Sequence, residues 1–236
     1  MLEIRNLTKK YKGGKVAVDN LSLTVEAGDI FAFIGHNGAG KSTTIKSVVG
    51  ILEFDSGDIF IDGHSVKDEP MACKKDLAYI PDNPDIYDHL TGIQYLNFIG
   101  DVFGVDSATR TAKIDDYATR FDIKKNLGDM VGSYSHGMKQ KLVLISALMH
   151  SPKLLVMDEP FVGLDPKASF EVKNIMRELC KEGAAIFFST HVLEVAEKLC
   201  NKVAIIKDGK LVVCGDTETV VGSGSLESVF LKSEEV

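Results

Sequence analysis

The stretch GHNGAGKST at residues 35–43 constrains the fold more than any other part of the sequence. The apolar run IFAFI precedes it, as in a buried strand, and Ile45, Val48 and Val49 follow it at helical spacing. The glycines therefore lie in a turn between a strand and a helix. Because glycines let successive backbone N–H groups converge on one point and a helix N-terminus adds positive charge, this context is typical of a phosphate-binding loop.

Gly35, Gly40, Lys41 and Ser42 match the pattern G-x-x-x-x-G-K-[ST]. In this pattern backbone amides surround the phosphates, Lys41 reaches the β- and γ-phosphates, and the Ser42 hydroxyl binds Mg²⁺. The alternative is a purely structural glycine turn. That alternative leaves a lysine at a helix N-terminus unexplained.

The composition sets limits on the kind of protein. The chain has 236 residues, of which 44% are hydrophobic and 26% charged, as expected for a globular domain with a subdomain. A net charge of -7 argues against a nucleic-acid-binding surface. The four cysteines are far apart, which predicts buried thiols in a reducing compartment. The sequence predicts no signal peptide and no membrane span, so any action at a membrane requires a partner.

The order of predicted elements indicates an α/β fold. Strand patterns alternate with helical patterns over most of the chain, which predicts a mostly parallel sheet covered on both faces. Antiparallel pieces are predicted near the two ends of the chain. A block with helical periodicity, from about residue 83 to 150, interrupts the alternation. The tail at about 216–236 has a Gly/Ser hinge, and we predict a loosely docked helix there.

A pair of acidic residues ends the apolar run KLLVMDEP. Open α/β sheets bind ligands at the carboxyl ends of their strands. We predict that Asp158 holds Mg²⁺ through water and that Glu159, pointing another way on an extended chain, acts as general base. The alternative, two acids ending a strand in solvent, does not account for the apolar run before them or for Pro160 after them.

His191 follows the next β-rich run, FFST. A neutral imidazole at this strand end is suited to hydrogen-bond the γ-phosphate and the water that Glu159 activates. A helix cap or a surface position is the alternative for this histidine. We predict that His191 is catalytic together with Glu159.

A second anion-binding turn is predicted at SYSHGMKQK, residues 133–141. Ser135 is suited to cap the helix, and Gly137 leaves the first-turn amides open. An ordinary capped amphipathic helix is the alternative. Because the first loop already holds the phosphates, one chain carries two half-sites for one nucleotide, and two copies placed head to tail would complete both.

Taken together, these segments resemble the ATP-binding subunits of ABC transporters along essentially the whole chain. GHNGAGKST is similar to the Walker A motif, LLVMDEP to Walker B, YSHGM to the signature loop, VGLDP to the D-loop and STH to the switch histidine. The variant YSHGMKQK is most similar to the signature of bacterial ABC-2-type exporter subunits.

The resemblance assigns further residues. It implies a P-loop NTPase (RecA-like) core at about 1–82 and 151–215, with an N-terminal antiparallel β-subdomain and a helical signature subdomain at about 83–150. It implies that Tyr11 stacks on adenine and that ATP-binding residues include His36, Asn37, Gly38, Ala39 and Thr43. It implies that the following residues bind ATP in trans: Ser135, His136, Gly137, Met138 and Asp165.

Two motifs depart from the family pattern. The signature usually reads LSGGQ, whereas Tyr134, His136 and Met138 replace three of its residues here. Asp82 stands where the family usually has Gln and the exporter branch often Glu. A shorter, charged side chain changes how this loop reaches Mg²⁺, and we carry Asp82 as a predicted metal ligand beside Ser42 and Asp158.

The resemblance also implies two partners, a transmembrane permease subunit and a second nucleotide-binding subunit. The chain itself would be cytoplasmic, held at the inner face of the cell membrane by its permease. The helical subdomain would rotate with the γ-phosphate state and present a groove to the permease. Its aromatic residues Tyr87, Tyr95 and Phe98 are more often core residues than contacts.

Two other functions are considered. A GTP switch is disfavoured because Asn201 and Lys202 are followed by Val203 and Ala204, which does not give the guanine-reading Asn-Lys-x-Asp. A regulatory ATPase that acts as a switch on a membrane protein complex, without transport, remains the main alternative. The sequence does not specify a transported substrate.

Overall fold

A computed structural model describes residues 1–235 of the chain and the side chains of residues 1–233. The strands are β1 (Leu2–Lys10), β2 (Val16–Val25), β3 (Ile30–Ile34), β4 (Ser56–Ile61), β5 (His64–Ser65), β6 (Leu77–Ile80), β7 (Leu154–Asp158), β8 (Ala185–Thr190), β9 (Lys202–Lys207) and β10 (Lys210–Asp216). The helices are α1 (Lys41–Val48), α2 (Pro70–Asp76), α3 (Gly92–Val102), α4 (Ser107–Arg120), α5 (His136–Leu148), α6 (Pro166–Lys181), α7 (Leu193–Leu199), α8 (Thr217–Val221) and α9 (Leu226–Glu235).

The strands form two sheets. The four-stranded sheet has the order β2-β1-β4-β5 and is antiparallel in each pairing. The six-stranded sheet has the order β10-β9-β3-β8-β7-β6 and is parallel except for the β9–β10 hairpin. The predicted α/β fold with antiparallel pieces at both ends of the chain is confirmed. Within residues 1–235, no helix is both long enough and apolar enough to cross a membrane.

The central strand β3 shows how the core is organised. All five of its residues are buried, because both faces of a covered parallel sheet are apolar. Ile30, Ala32 and Ile34 face the core that also contains α5, α6 and α9. Phe31 and Phe33 face the other core, with the antiparallel sheet and α1. The strand is thus fixed from two sides where it enters the glycine-rich loop.

Helices occupy the chain between β6 and β7. The Thr91 hydroxyl caps α3 in a reciprocal arrangement with Gln94, and the Asp106 carboxylate caps α4. The helix α5 begins after Ser135 and is buried along most of its length. Of the aromatics expected to be core residues, Tyr95 is buried. Tyr87 and Phe98 are 51% and 44% exposed, so the core prediction was wrong for these two.

The C-terminal tail also differs from expectation. It contains two helices, α8 and α9, and the second is not loosely docked. Leu226 and Phe230 of α9 are 0% and 9% exposed and belong to the core beneath the six-stranded sheet. The amphipathic pattern of this segment therefore reflects packing against the rest of the chain.

Candidate functional site: a phosphate-loop cleft

The residues after β3 form a tight loop that only glycine permits at two positions. Gly38 and Gly40 have φ of 85° and 113°, in the left-handed region. A Cβ on Gly40 would lie 2.4 Å from the Ala17 carbonyl oxygen. The loop is thus pressed against β2, and α1 begins at the next residue.

Lys41 is held inside this loop. Its side chain is 6% exposed, and its Nζ donates hydrogen bonds to the carbonyl oxygens of Gly35, at 2.6 Å, and His36, at 3.1 Å. Burial lowers the pKa of Lys41, and the nearby carboxylates of Glu159 and Asp158 act in the opposite direction. The lysine is therefore paired, and its charge lies where phosphates would approach the loop.

The acid pair ends β7 and the loop follows β3. The two lie close together because only one strand, β8, lies between β7 and β3. Asp158 is 3% exposed, and its carboxylate accepts a hydrogen bond from Ser189 Oγ at 2.5 Å. Ser189 is the residue opposite Asp158 in the β7–β8 register. Its Oγ also accepts a hydrogen bond from the Glu159 backbone N–H at 3.1 Å.

Glu159 is turned by its backbone. Its φ is 49°, so the chain is left-handed here and the expected extended conformation was wrong at this residue. The two carboxylates have different partners: Asp158 accepts a hydrogen bond from Ser189, whereas Glu159 lies near Lys41 and His191. The Glu159 carboxylate lies 3.9 Å from Lys41 Nζ and 2.9 Å from His191 Nδ1.

His191 is brought to the acid pair by β8. The strand ends at Thr190, opposite Ile34 of β3 in the parallel register. The imidazole is exposed over more than half of its surface and contacts Glu159. This places the predicted histidine and the predicted base in direct contact.

These elements surround an open cleft of about 250 Å³. The Tyr11 hydroxyl is 3.2 Å from Thr43 Oγ1, so the predicted adenine-stacking ring lies at the end of the phosphate loop. Most of the predicted nucleotide and metal residues line the cleft: Tyr11, His36, Asn37, Gly38, Gly40, Lys41, Ser42, Thr43, Asp82, Asp158 and Glu159. Gly35 and Ala39 belong to the loop behind this lining.

The donors in the cleft suit a magnesium ion that arrives with a nucleotide. Ser42, Asp82 and Asp158 supply hydroxyl and carboxylate oxygens to the same cleft. Among the residues that the structure describes, no group of three or more His, Cys, Asp or Glu side chains is arranged to hold a metal ion by itself. Mg²⁺ usually keeps several waters and binds one or two protein ligands plus substrate phosphates, so the residues present fit it.

The signature turn is not part of this cleft. None of Ser135, His136, Gly137 and Met138 is among the residues that line it. Ser135 caps α5 and accepts a hydrogen bond from the Met138 N–H at 3.3 Å, as the sequence predicted. The turn also packs closely on the D-loop, because a Cβ on Gly137 would lie 2.9 Å from the Gly163 carbonyl oxygen.

The unusual tyrosine of the signature has a structural place. Tyr134 is buried, and its hydroxyl donates a hydrogen bond to the Asn126 carbonyl oxygen at 2.6 Å. The same hydroxyl occupies the space that a side chain on Gly92 would need. Tyr134 therefore fixes the signature turn to the start of α3 and to the segment after α4 that contains Asn126.

Asp165 of the D-loop is tied to the signature helix. One carboxylate oxygen caps α6 by accepting the Ala168 N–H, and the other accepts a hydrogen bond from Lys141 Nζ at 2.7 Å. The hydrogen bond from Lys141 lowers the pKa of Asp165. The residues predicted to act in trans thus form one connected surface, outside the cleft.

Sequence reasoning missed four residues of the cleft and its support. Lys15 and Ala17 line it from β2 and the turn before it. Gly209, in the β9–β10 hairpin turn, donates its backbone N–H to the Ala39 carbonyl oxygen at 2.9 Å and so supports the phosphate loop. The Ser189 contact had a visible signal, a polar residue at the end of an apolar strand, whereas the Gly209 contact had none.

A parallel sheet in which the ends of two nearby strands place a glycine-rich loop beside an acid pair is the arrangement of P-loop nucleoside triphosphatases. The comparisons agree with this class. Residues 18–162 match the family model described as ABC transporter. The chain belongs to this family, as an ATP-binding subunit, and it is an ATPase.

Two curated relatives come from Bacillus subtilis. The uncharacterised ABC transporter ATP-binding protein YhcH is 38% identical over 214 residues, covering 90% of this chain and 68% of that protein. The linearmycin resistance ATP-binding protein LnrL is 33% identical over 218 residues, covering 91% of this chain and 69% of that protein.

Two solved structures share the fold. An ATP-binding subunit of an ABC transporter is 31% identical, with a TM-score of 0.95 and coverage of 99% of both chains. A dimeric ATP-binding cassette in a post-hydrolysis state, bound to ADP and Pi, is 20% identical, with a TM-score of 0.83 and coverage of 92% of this chain and 99% of that one. The second likeness concerns the fold alone.

Proposed function

We propose that the chain binds Mg-ATP in the phosphate-loop cleft, closes head to tail with a second copy or a related subunit, and uses hydrolysis to drive a separate membrane permease. The observation that carries this proposal is the separation of two anion-binding turns. The phosphate loop lines the cleft with the acid pair, and the Ser135–Gly137 turn lies on another surface.

In the proposed reaction a water oxygen attacks the γ-phosphorus while the bond to the β-γ bridging oxygen breaks. Glu159 accepts the proton of that water, and His191, in contact with Glu159, holds the water and the γ-phosphate in place. Lys41 exchanges the carbonyl oxygens of Gly35 and His36 for phosphate oxygens. Magnesium held near Ser42, Asp82 and Asp158 would neutralise charge on the β- and γ-phosphates.

The second subunit would supply the other half of each site. Ser135, Gly137 and the first-turn amides of α5 would face the γ-phosphate bound by the partner chain. His136, Met138 and Asp165 would lie at the same interface, since they share the surface of that turn. The solved ATP-binding cassette bound to ADP and Pi has the same fold and is dimeric, which supports association of two such subunits.

A groove beside the cleft supports the proposal that the chain binds a permease. It has a volume of about 370 Å³ and lies between α3, α5 and β6, with mostly apolar residues on its walls. Pro81, Asp85 and Ile86 line this groove, whereas Asp82, in the same short segment, lines the nucleotide cleft. One segment therefore contacts both places, which suits a coupling role for Asp82.

We propose that transport is outward and that the chain lies at the cytoplasmic face of the membrane through its permease. The similarity of YSHGMKQK to exporter signatures supports this direction, as does the resistance function in the name of LnrL. Recovery of a permease-like membrane protein, by pull-down from native membranes, tests the partner. Isolation of a peptidoglycan-modifying or signalling complex without a permease would favour the regulatory alternative.

Complementation tests the shared sites. Lys41→Ala removes the phosphate-binding lysine, and Ser135→Asp keeps a helix-capping side chain but places negative charge opposite the partner's phosphates. Each variant alone should be inactive as a homodimer. A mixture should regain ATPase activity, because the heterodimer has one site with both halves intact. A mixture that stays as inactive as its components would contradict the head-to-tail arrangement.

A further inference from the structure

The C-terminal helix α9 contacts the phosphate loop and two elements next to the ATP site, α7 and β9. The Phe230 ring lies edge-on to the His36 ring, with centroids 4.8 Å apart and an interplanar angle of 62°. The Leu226 N–H donates a hydrogen bond to the Glu197 carboxylate of α7 at 2.7 Å. Lys207 Nζ donates to the Ser233 carbonyl oxygen at 3.3 Å.

Each of these partners is connected to the proposed chemistry. His36 is part of the phosphate loop and lines the cleft. The helix α7 follows His191 after one residue. Lys207 ends β9, the strand that pairs with β3 just before the loop begins. The helix α9 thus braces the loop, the strand beside it and the helix behind the switch histidine.

We propose that Phe230 is a positioning residue for ATP binding: through its contact with His36 it holds the phosphate loop in the conformation that receives the triphosphate. His36 has two roles in this geometry. Its carbonyl oxygen accepts a hydrogen bond from Lys41 Nζ, and its ring contacts Phe230. A loop residue fixed at both its backbone and its side chain has less conformational freedom to lose when a nucleotide binds.

The buried position of Phe230 supports this role. Its side chain joins the core made by α5, α6 and the six-stranded sheet, so its ring is held by packing on the side away from His36. A ring fixed in this way is a rigid support for an exposed loop residue. His36 itself is solvent-exposed, and the Phe230 contact links it to the core.

The inference rests on the proposed binding of ATP at the phosphate loop, and the experiment separates the two. ATP affinity is measured on the full chain by titration calorimetry, first for the wild type and for Lys41→Ala. If the wild type binds ATP and Lys41→Ala does not, the site stands and the Phe230 variants test α9 alone. If both bind ATP equally, the site proposal fails before α9 is considered.

Phe230→Leu retains an apolar side chain but removes the edge-to-face ring contact. An aromatic pair contributes enough beyond burial that its loss should raise the Kd for ATP about two- to tenfold, while kcat at saturating ATP stays unchanged. Phe230→Tyr retains the ring and should restore the wild-type Kd. The matched control is Phe121→Leu, the same change at a buried position in the helical insertion, which should lower the melting temperature without changing the Kd.

A double-mutant cycle identifies the contact. In a His36→Ala background, Phe230→Leu should have no further effect on the Kd, because its partner is already absent. The coupling between ATP binding and the α9 contact is reciprocal. ATP should therefore slow amide exchange in α9 of the wild type but not in α9 of the Lys41→Ala variant. An unchanged Kd in Phe230→Leu, or full additivity with His36→Ala, would overturn the proposal and leave α9 a packing element only.

Discussion

The phosphate loop and the signature turn are both glycine-containing turns at helix N-termini, yet they are built differently. The phosphate loop depends on left-handed glycines pressed against β2 and encloses a buried lysine next to a buried aspartate. The signature turn has an ordinary serine cap, an exposed surface and a single buried anchor, Tyr134. One turn is complete within the chain, whereas the other presents groups outward.

This difference indicates a division of roles. The loop side holds the groups with which the chemistry is proposed to occur: Lys41, Asp158, Glu159 and His191. The signature side offers amides and a hydroxyl but no buried charge of its own. If the site needs both turns, as we propose, it would form only when two chains meet, and the ATPase activity would then depend on association.

The largest expected effect is on the loop side, in the Glu159→Gln variant. Losing the general base should reduce kcat by about two to four orders of magnitude, while ATP binding remains. The control is Glu194→Gln, because Glu194 is an exposed carboxylate near His191 in sequence that pairs with Lys198. Its kcat should be near the wild-type value. Steady-state phosphate release measures both. Undiminished turnover in Glu159→Gln would reject its role as base.

Lys41→Ala is expected to weaken ATP binding by about two orders of magnitude, since charge-assisted hydrogen bonds to two phosphates are lost. Equilibrium binding of a fluorescent ATP analogue measures this. Lys46→Ala is the control, because Lys46 is an exposed lysine further along α1 that does not line the cleft. This variant loses the same charge and should bind ATP normally. Equal affinities in the two variants would place the phosphates elsewhere.

The Ser135→Asp variant tests the role of the signature turn in dimerisation. Aspartate caps a helix as well as serine does, so the fold of α5 should be kept. Its charge would oppose the partner's γ-phosphate and should weaken ATP-dependent dimerisation about ten- to a hundredfold. Sedimentation of the Ser135→Asp/Glu159→Gln double variant measures dimerisation, and calorimetry on the single variant should find unchanged ATP binding to the monomer. Loss of monomer binding would contradict the division between the two turns.

Tyr134→Phe should have the smallest effect. It removes the hydrogen bond to the Asn126 carbonyl oxygen and should lower the free energy of unfolding by about 1–2 kcal/mol. Urea denaturation measures the change, with Tyr87→Phe as the control because that tyrosine is exposed. Monomer ATP affinity should stay the same, and a marked loss of it would mean that the two turns are not separate.

Much of the fold was predictable because its signals are local. The apolar run of β3 and the helical spacing after Lys41 identify the strand-loop-helix unit without any long-range information. The strand end at Asp158 and the histidine directly after β8, His191, were also recognisable, because parallel strands place their carboxyl ends at one edge. The comparisons confirm the family that these motifs indicated.

The remainder depended on contacts between distant parts of the chain. The left-handed turn at Glu159 is not visible in a sequence whose acid pair simply follows a strand. The docking of Phe230 on His36 joins residues nearly the whole chain apart, and a short amphipathic segment does not specify its partner. Tyr87 and Phe98 were misassigned because residue type alone does not distinguish a core aromatic from an exposed one.

The most direct test of the shared ATP site is the mass of the Glu159→Gln protein in solution, measured by size-exclusion chromatography with light scattering. With Mg-ATP it should be a dimer, and with ADP or with the added Ser135→Asp change it should be a monomer. Small-angle scattering of the ATP-bound form should fit a head-to-tail pair with the Ser135–Gly137 turn over the partner's residues 35–43. A monomer at saturating Mg-ATP, with that turn open to solvent, would contradict the account.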